Sequence, residues 1–320
     1  GLNRWIERQN KGRQFMSFFP GIDPQPGDAF ACDAIDTLVV SSAKDIGGFS
    51  VRRALPTARR RMVGPFIFFD QMGPAVLTPD KMLDVLPHPH IGLATVTYLY
   101  DGRIRHRDSL GSDMVIAPGD VNLMTAGRGI VHSERTPEFM RDEPMAVSGL
   151  QTWIALPDRV EDMNPAFASI RSDALQEHRE KALGLRVIMG SFGGLSSPVP
   201  TYSGTTYVDI RLGAGGSLDL PADIEERAIY TLSGVIEIGG DTFGPHQLIV
   251  FKPGEVIRIS ASEEAHCVLL GGDSIGSKRH IWWNFVSSSQ EKIEQAKEEW
   301  RTGRFGIVPG DEDEFIPLPG

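Results

Sequence analysis

The sequence predicts an all-β protein: two strand-rich halves in tandem, closed by a single C-terminal helix. Three observations carry that expectation. Glycine (35) and proline (22) together exceed a sixth of the 320 residues, which favours short strands and tight turns over long helices. Short apolar or alternating runs recur between Gly, Pro and Asp punctuation through most of the chain, and a helical period stands out only near its end. The two β-rich stretches also match each other. "YLYDGRIRHRD" and "YTLSGVIEIGG" both read as strand, Gly turn, strand, with Tyr98 and Gly102 falling on Tyr230 and Gly234. An internal duplication is the simplest reading.

Taken in order, residues 1–31 are an N-terminal extension in which "GLNRWIERQNKGRQF" precedes Met16, and they stand outside the fold argument. Residues 32–165 form the first β domain, with "DTLVVSS", "PFIFFDQMGP", "ATVTYLYDG", "DMVIAPGD" and "GLQTWIALP" as its clearest strands. Residues 166–200 are a linker or crossover. There "DALQEHREKALG" reads as a charged crossover or short helix, and "SFGGLSSPVPTYSG" as a Gly/Ser/Pro boundary. Residues 201–286 hold the second β set, including "TYVDIRL", "RAIYTLSGVIEIGG", "HQLIVFKPG" and "AHCVLLGG". Residues 287–320 hold the helix and an acidic "DEDEF" tail expected to be mobile. Ser288 and Glu291 have capping-box spacing at the helix start, and Gly303 supplies its stop.

Composition narrows the function classes. A net charge of −10 argues against general attraction to nucleic acid or anionic membrane. Arg52, Arg53, Arg59, Arg60 and Arg61 make a local basic cluster, read either as internal salt bridges on a hairpin or as a docking surface. Two distant cysteines, Cys32 and Cys267, have neither metal nor redox spacing. No apolar run approaches the ~18 residues of a membrane span, and no signal peptide opens the chain. A cytoplasmic monomer is expected.

The chemistry-bearing residues are histidines. In "LPHPHIGLATVTYLYDG", His88 and His90 are two apart, so a strand would project both from one face. Pro89 between them cannot donate to a ladder and places the pair at a strand start or edge. Alone, the pattern also fits solvent-facing turn histidines. In "MTAGRGIVHSERTP", His132 and Glu134 repeat the spacing about forty residues later. Together the strands offer three imidazoles and one carboxylate, a mixed N/O set for a divalent metal. In octahedral geometry this leaves two positions for water, substrate or dioxygen. His106 could orient a ligand from behind, or serve a turn. Met124, Phe66, Phe68 and Phe69 could line a pocket or be plain core. Gly127 and Gly129 could let the loop before His132 pass close to the metal, or form an ordinary turn.

"HPHIGLATVTYLYDG" followed by "HRDSLGSDMVIAPGDVNLMTAGRGIVHSE" resembles the pirin family of the cupin superfamily. The likeness runs from "GGFSVRRALP" through "GLQTWIALP", and more weakly to "IWWNFV" and "EEWRTGRFG". It implies two tandem cupin (jelly-roll-like) β-barrels with a metal, usually iron, in the N-terminal one. His88, His90, His132 and Glu134 stand on the family's four ligand positions. Many other cupins take their carboxylate from just after HxH; here Ala94 and Thr95 occupy that stretch, leaving the task to Glu134. Counted from the matched Gly turns, His88 and His90 correspond to Leu220 and Ala222, so the C-terminal barrel is expected to be metal-free. His246, His266 and His280 are then structural.

The resemblance further implies quercetin 2,3-dioxygenase chemistry. Fe(II) is the expected ion, with Ni, Mn, Cu and Zn as alternatives on ligand type. Substrate and dioxygen would take the open positions, and Glu134 would serve as ligand, as base toward the flavonol 3-hydroxyl, or as both. The rival expectation is a non-enzymatic, iron- or redox-responsive regulator acting through a protein partner, with the Arg52–Arg61 region as its contact.

Overall fold

The structure, a computed structural model, describes residues 33–46 and 49–320. The expected N-terminal extension and Cys32 lie outside the described residues. Each half is a barrel made of one large and one small antiparallel sheet. The first large sheet runs, in spatial order, Ala166–Ile170, Val121–Thr125, Leu93–Asp101, Met145–Ala155, Phe66–Leu77, Ser50–Leu55 and Ser42–Asp45. Its small partner is Asp84–His90, Ile130–Arg135, Ile104–Asp108 and Asp113–Ile116. The second large sheet repeats that order with Ile35–Val40, Gln247–Phe251, Glu226–Ser233, Ala265–Gly272, Thr205–Leu212, Leu183–Met189 and Glu177–Arg179. Its small sheet is Ser217–Leu220, Ile257–Ser260, Ile236–Ile238 and Asp241–Phe243.

Tyr98 and Tyr230 therefore sit on equivalent central strands, and the glycines that follow have one job. Gly102 (φ +83°) and Gly234 (φ +74°) both turn in the left-handed region, where a Cβ would lie 2.6 Å from the Ala146 carbonyl or 2.3 Å from that of Glu264.

The large sheets pack on each other, and this interface is a core in its own right. Val96, Tyr98 and Leu123 of one meet Tyr207, Tyr230 and Val268 of the other. With both faces buried, the strands read as near-continuous apolar runs rather than clean alternations. Phe66 and Phe69 belong to this interface, at 5.2 Å from Tyr207 and 4.6 Å from Tyr230. A register shift opposite Trp153 and Ile154 brings Phe66 onto the face of Phe69, while Phe68 faces into the first barrel. Met124 packs with Ala126, Ile130 and Phe167. Of these pocket candidates, Phe68 lines the cavity beside His88 and His90, and Phe66, Phe69 and Met124 do not.

Strands cross the expected boundaries. Ile35–Val40 pairs with Gln247–Phe251 in the second barrel, although it precedes the first barrel in sequence. The expected linker at 166–200 contributes Ala166–Ile170 to the first sheet, and Glu177–Arg179 and Leu183–Met189 to the second. "DALQEHREKALG" is thus mostly a β-hairpin; Leu185 and Val187 enter the second barrel's apolar filling, and that packing overrides the local charge pattern.

The helix spans Gln290–Arg301 with Ser289 as its N-cap, one residue later than expected, and without a side-chain capping bond. The Ser288 N–H instead meets the Glu161 carboxylate at 3.1 Å, so the capping box does not form. Gly303 (φ +70°) follows the last turn. The acidic tail is pinned rather than mobile. Asp311 takes a bidentate bond from Arg135 (2.7 and 2.8 Å), and the Ile316 N–H donates to the Pro87 carbonyl at 2.9 Å. The basic cluster is largely spent internally: Arg53 grips Asp70, Arg60 reaches Asp36 and Glu226, and Arg61 bonds the Arg279 carbonyl. Among the described residues, no helix is long and apolar enough to cross a membrane.

Candidate metal centre

Asp84–His90 is the edge strand of its sheet, as a segment carrying Pro87 and Pro89 must be. It pairs with Ile130–Arg135 so that His132 lies opposite His88 and Ile130 opposite His90. All three imidazoles are buried, at 6%, 1% and 1% exposure for His88, His90 and His132. Their rings stand 4.4–5.0 Å apart, and one ligand nitrogen from each lies within 4.8 Å of the others. Among the described residues this is the one group of three or more such side chains that could hold a metal ion.

The outer nitrogens determine what the inner ones can do. His88 Nδ1 is 2.8 Å from the Leu86 carbonyl, and His90 Nδ1 is 3.2 Å from the Asn284 carbonyl. A carbonyl only accepts, so both Nδ1 atoms donate and both Nε2 atoms carry an inward lone pair. His90 Nε2 and His132 Nε2 are 3.1 Å apart. Two nitrogens bound at right angles about 2.1 Å from one ion would be separated by about 3 Å. Burial pushes the His88 pKa down to about 4 and holds His90 and His132 well below the ordinary histidine range. Burial thus favours the neutral imidazole, the form that binds metal. This donor set fits a divalent first-row ion.

Glu134 stands off from the triad. A register shift between His132 and Glu134 sets it opposite Val85, because Leu86 and Pro87 bulge out of the ladder. Its Oε1 faces the Gln151 amide at 3.4 Å, and Gln151 Oε1 in turn accepts from Thr97 Oγ1 at 2.6 Å. Burial raises the Glu134 pKa. The carboxylate lines the same 390 Å³ cavity as His88 and His90, within the ~300–1,000 Å³ usual for small-molecule sites. Phe68 and Trp153 stack in its wall (4.1 Å, 13°), and Trp153 turns its ring to the edge of His90 at 5.2 Å. At the outer end, the Arg53 guanidinium lies 4.4 Å from the Phe68 ring centre while gripping Asp70.

Several contributors carried no legible sequence signal. Asn284 and Trp283 come from a hairpin (His280–Trp282 with Phe285–Ser287) beyond the second barrel, 194 residues from His90. Trp283 holds φ +51°, unusual for a bulky residue. His106, ambiguous in sequence, is buried directly behind His132. Gly127 and Gly129 serve packing, since a Cβ would meet the Met163 carbonyl at 2.0 Å or the Phe305 ring at 3.0 Å. In the second barrel the corresponding two strands pair Leu220 with Ile257, and both are buried in an aliphatic filling.

The sequence matches the Pirin family over residues 48–154 and the Pirin C-terminal cupin domain over residues 207–306. A Pirin-like protein from Caulobacter vibrioides is 46% identical over 288 residues, covering 89% of this chain and 99% of the relative. A Pseudomonas aeruginosa relative carrying the provisional name quercetin 2,3-dioxygenase is 38% identical over 286 residues, covering 88% of this chain and 89% of its own. The crystal structure of quercetin 2,3-dioxygenase from Acinetobacter baumannii superposes with a TM-score of 0.83 at 32% identity, covering 90% of this chain and 96% of the other.

Proposed function

The chain belongs to the pirin family of the cupin superfamily, and from that premise we propose that it is a metal-dependent dioxygenase that opens the heterocycle of a flavonol such as quercetin. The observation that carries this reading is the convergence of three buried imidazoles, two of which line an aromatic-walled cavity that also contains the Glu134 carboxylate. One ion per chain, iron(II) by preference, would be held by His88, His90 and His132. When bound, it supplies Lewis acidity toward the 3-hydroxyl oxygen and electron exchange with dioxygen.

The protein's own residues account for the rest. Phe68 and Trp153, stacked on each other, give the cavity an aromatic lining suited to an aromatic polyphenol. Glu134, its pKa raised by burial, is poised to take the 3-hydroxyl proton at a carboxylate oxygen and to hold it as a neutral acid. Gln151, fixed by Thr97, steadies Glu134 Oε1. This hold, and the position of Glu134 outside the imidazole group, favour the base role over that of fourth ligand. Overall, one dioxygen enters the ring-opened ester and one carbon monoxide leaves.

The test is anaerobic iron(II)-loaded protein mixed with quercetin and then exposed to air. Loss of the flavonol absorption band with stoichiometric oxygen uptake is expected, and it should vanish in Glu134→Ala and His88→Ala. Iron binding without turnover would sink the dioxygenase reading and leave the regulatory one.

A further inference from the structure

Arg53 is the only arginine or lysine among the residues lining the cavity beside His88 and His90. It stands in register with Asp70 across the ladder between Ser50–Leu55 and Phe66–Leu77. Its Nε and Nη2 each donate to one oxygen of the Asp70 carboxylate at 2.8 Å. Asp70 is 3% exposed, so this bidentate grip fixes the guanidinium plane. The same group lies 4.4 Å from the Phe68 ring centre. Phe68 stacks on Trp153 at 4.1 Å, and the Trp153 ring meets that of His90 at 5.2 Å. An unbroken line of contacts thus runs from a candidate metal ligand to a fixed cation. The Arg53 end is the wetter one, with its side chain 27% exposed against 6% and 1% for His88 and His90. Two of the five guanidinium N–H groups are spent on Asp70. Nη1 carries two more and has no hydrogen-bond partner among the described residues.

We infer that Arg53 is a specificity-determining residue of this cavity, selecting substrates that carry a neutral hydroxyl remote from the oxygen directed at the metal. The inference rests on the reading of the cavity as a flavonol site. Nη1 can only donate, and each Asp70 oxygen, having accepted one N–H, keeps a further lone pair. A phenolic hydroxyl answers both, accepting from Nη1 and donating to Asp70. A carboxylate or phosphate could use the donor alone. It would also face Asp70 and Glu134, two carboxyl groups against one guanidinium. A ring without the hydroxyl covers Nη1 and leaves it unpaired, and that loss is the source of the selection. Because Asp70 and Phe68 already hold the guanidinium in place, little ordering is needed when the hydroxyl arrives.

The test compares quercetin with 3-hydroxyflavone, the same skeleton bearing the 3-hydroxyl alone. Each is titrated calorimetrically into anaerobic, iron(II)-loaded protein, so that binding is read without turnover. The wild-type protein should bind quercetin about 10-fold more tightly, the strength of one half-exposed hydrogen bond to a charged group. Arg53→Met alone would strand the buried Asp70 carboxylate, so it is combined with Asp70→Asn. In that double variant the affinity for quercetin should fall about 10-fold, to the level of 3-hydroxyflavone. Iron content and the affinity for 3-hydroxyflavone should stay as in the wild type. A preference that survives in the double variant, or that is missing from the wild type, would overturn the inference. Equal weakening of both ligands would mean that Arg53 only braces the cavity wall, and the inference falls. Wild-type protein that holds iron but binds neither flavonol would sink the flavonol reading itself, and the role of Arg53 with it.

Discussion

Replacing Gly92 by alanine tests whether the hairpin beyond the second barrel truly supports the metal centre. Gly92 turns at φ +71°, two residues after His90, and an ideal Cβ there would lie 1.8 Å from the Val286 carbonyl oxygen. Carbon–oxygen contacts settle near 3.3 Å, so the hairpin and the barrel must separate by about 1.5 Å. The His90 Nδ1 to Asn284 carbonyl bond is 3.2 Å and would stretch to about 4.7 Å, past any hydrogen bond. The Val286 N–H to Ile91 carbonyl bond, also 3.2 Å, would break with it. The left-handed backbone adds about 1–2 kcal/mol and each lost bond about 1 kcal/mol, for a total near 3 kcal/mol. Metal affinity should fall about 10–100-fold as His90 loses its orienting partner. Gly254→Ala is the control, because its φ is +91° but a Cβ would meet nothing within 4 Å. It bears the backbone penalty without the clash and should bind metal normally. Urea denaturation and cobalt(II) titration of both variants decide the matter. If Gly92→Ala is folded and binds as tightly as Gly254→Ala, the hairpin does not hold His90.

The remaining expectations concern protons. His88 has a folded pKa of about 4 against an ordinary 6.5, so below pH 6.5 the unfolded chain takes up a proton that the folded, metal-free protein refuses. Stability present above pH 6.5 should thus be lost as pH falls toward 4, by about 3 kcal/mol from His88 alone, with His90 and His132 acting in the same direction. Urea denaturation of metal-free protein across that window measures it, and a flat profile would contradict the burial argument. Glu134→Gln keeps the shape of the side chain but cannot take a proton; turnover should drop about 10²–10⁴-fold while cobalt(II) still binds. Loss of metal binding in that variant would assign Glu134 to the ligand set instead.

The centre was legible where its chemistry is local. HxH and HxE spacing on strands sufficed to nominate four side chains, because period-two geometry puts each pair on one face without reference to the rest of the fold. What the spacing could not show is the Leu86–Pro87 bulge in the neighbouring strand, which sets Glu134 opposite Val85 and so bears on whether it acts as ligand or base. Likewise Phe66, Phe68 and Phe69 could not be sorted between barrel interior and inter-barrel core until the shift opposite Trp153 was known. Boundaries were missed for a different reason. Ile35–Val40 and Leu183–Met189 join the second barrel's large sheet, a choice made by tertiary pairing and invisible in local pattern.

The duplication explains why a barrel with no histidine pair of its own bears on the centre. Leu220 and Ile257 put aliphatic packing on the pair of strands that corresponds to the histidine-bearing pair of the first copy. The stable second sheet is joined to the first through an extensive shared core and by Arg60, which reaches both Asp36 and Glu226. The chain leaving it forms the hairpin whose Asn284 carbonyl orients His90, and then the helix whose Ile293 and Ala296 pack with Ile91 and Phe285. The His90 imidazole is thereby supported from the far end of the chain, so loosening that helix should weaken metal binding even though none of the candidate ligands lies on it.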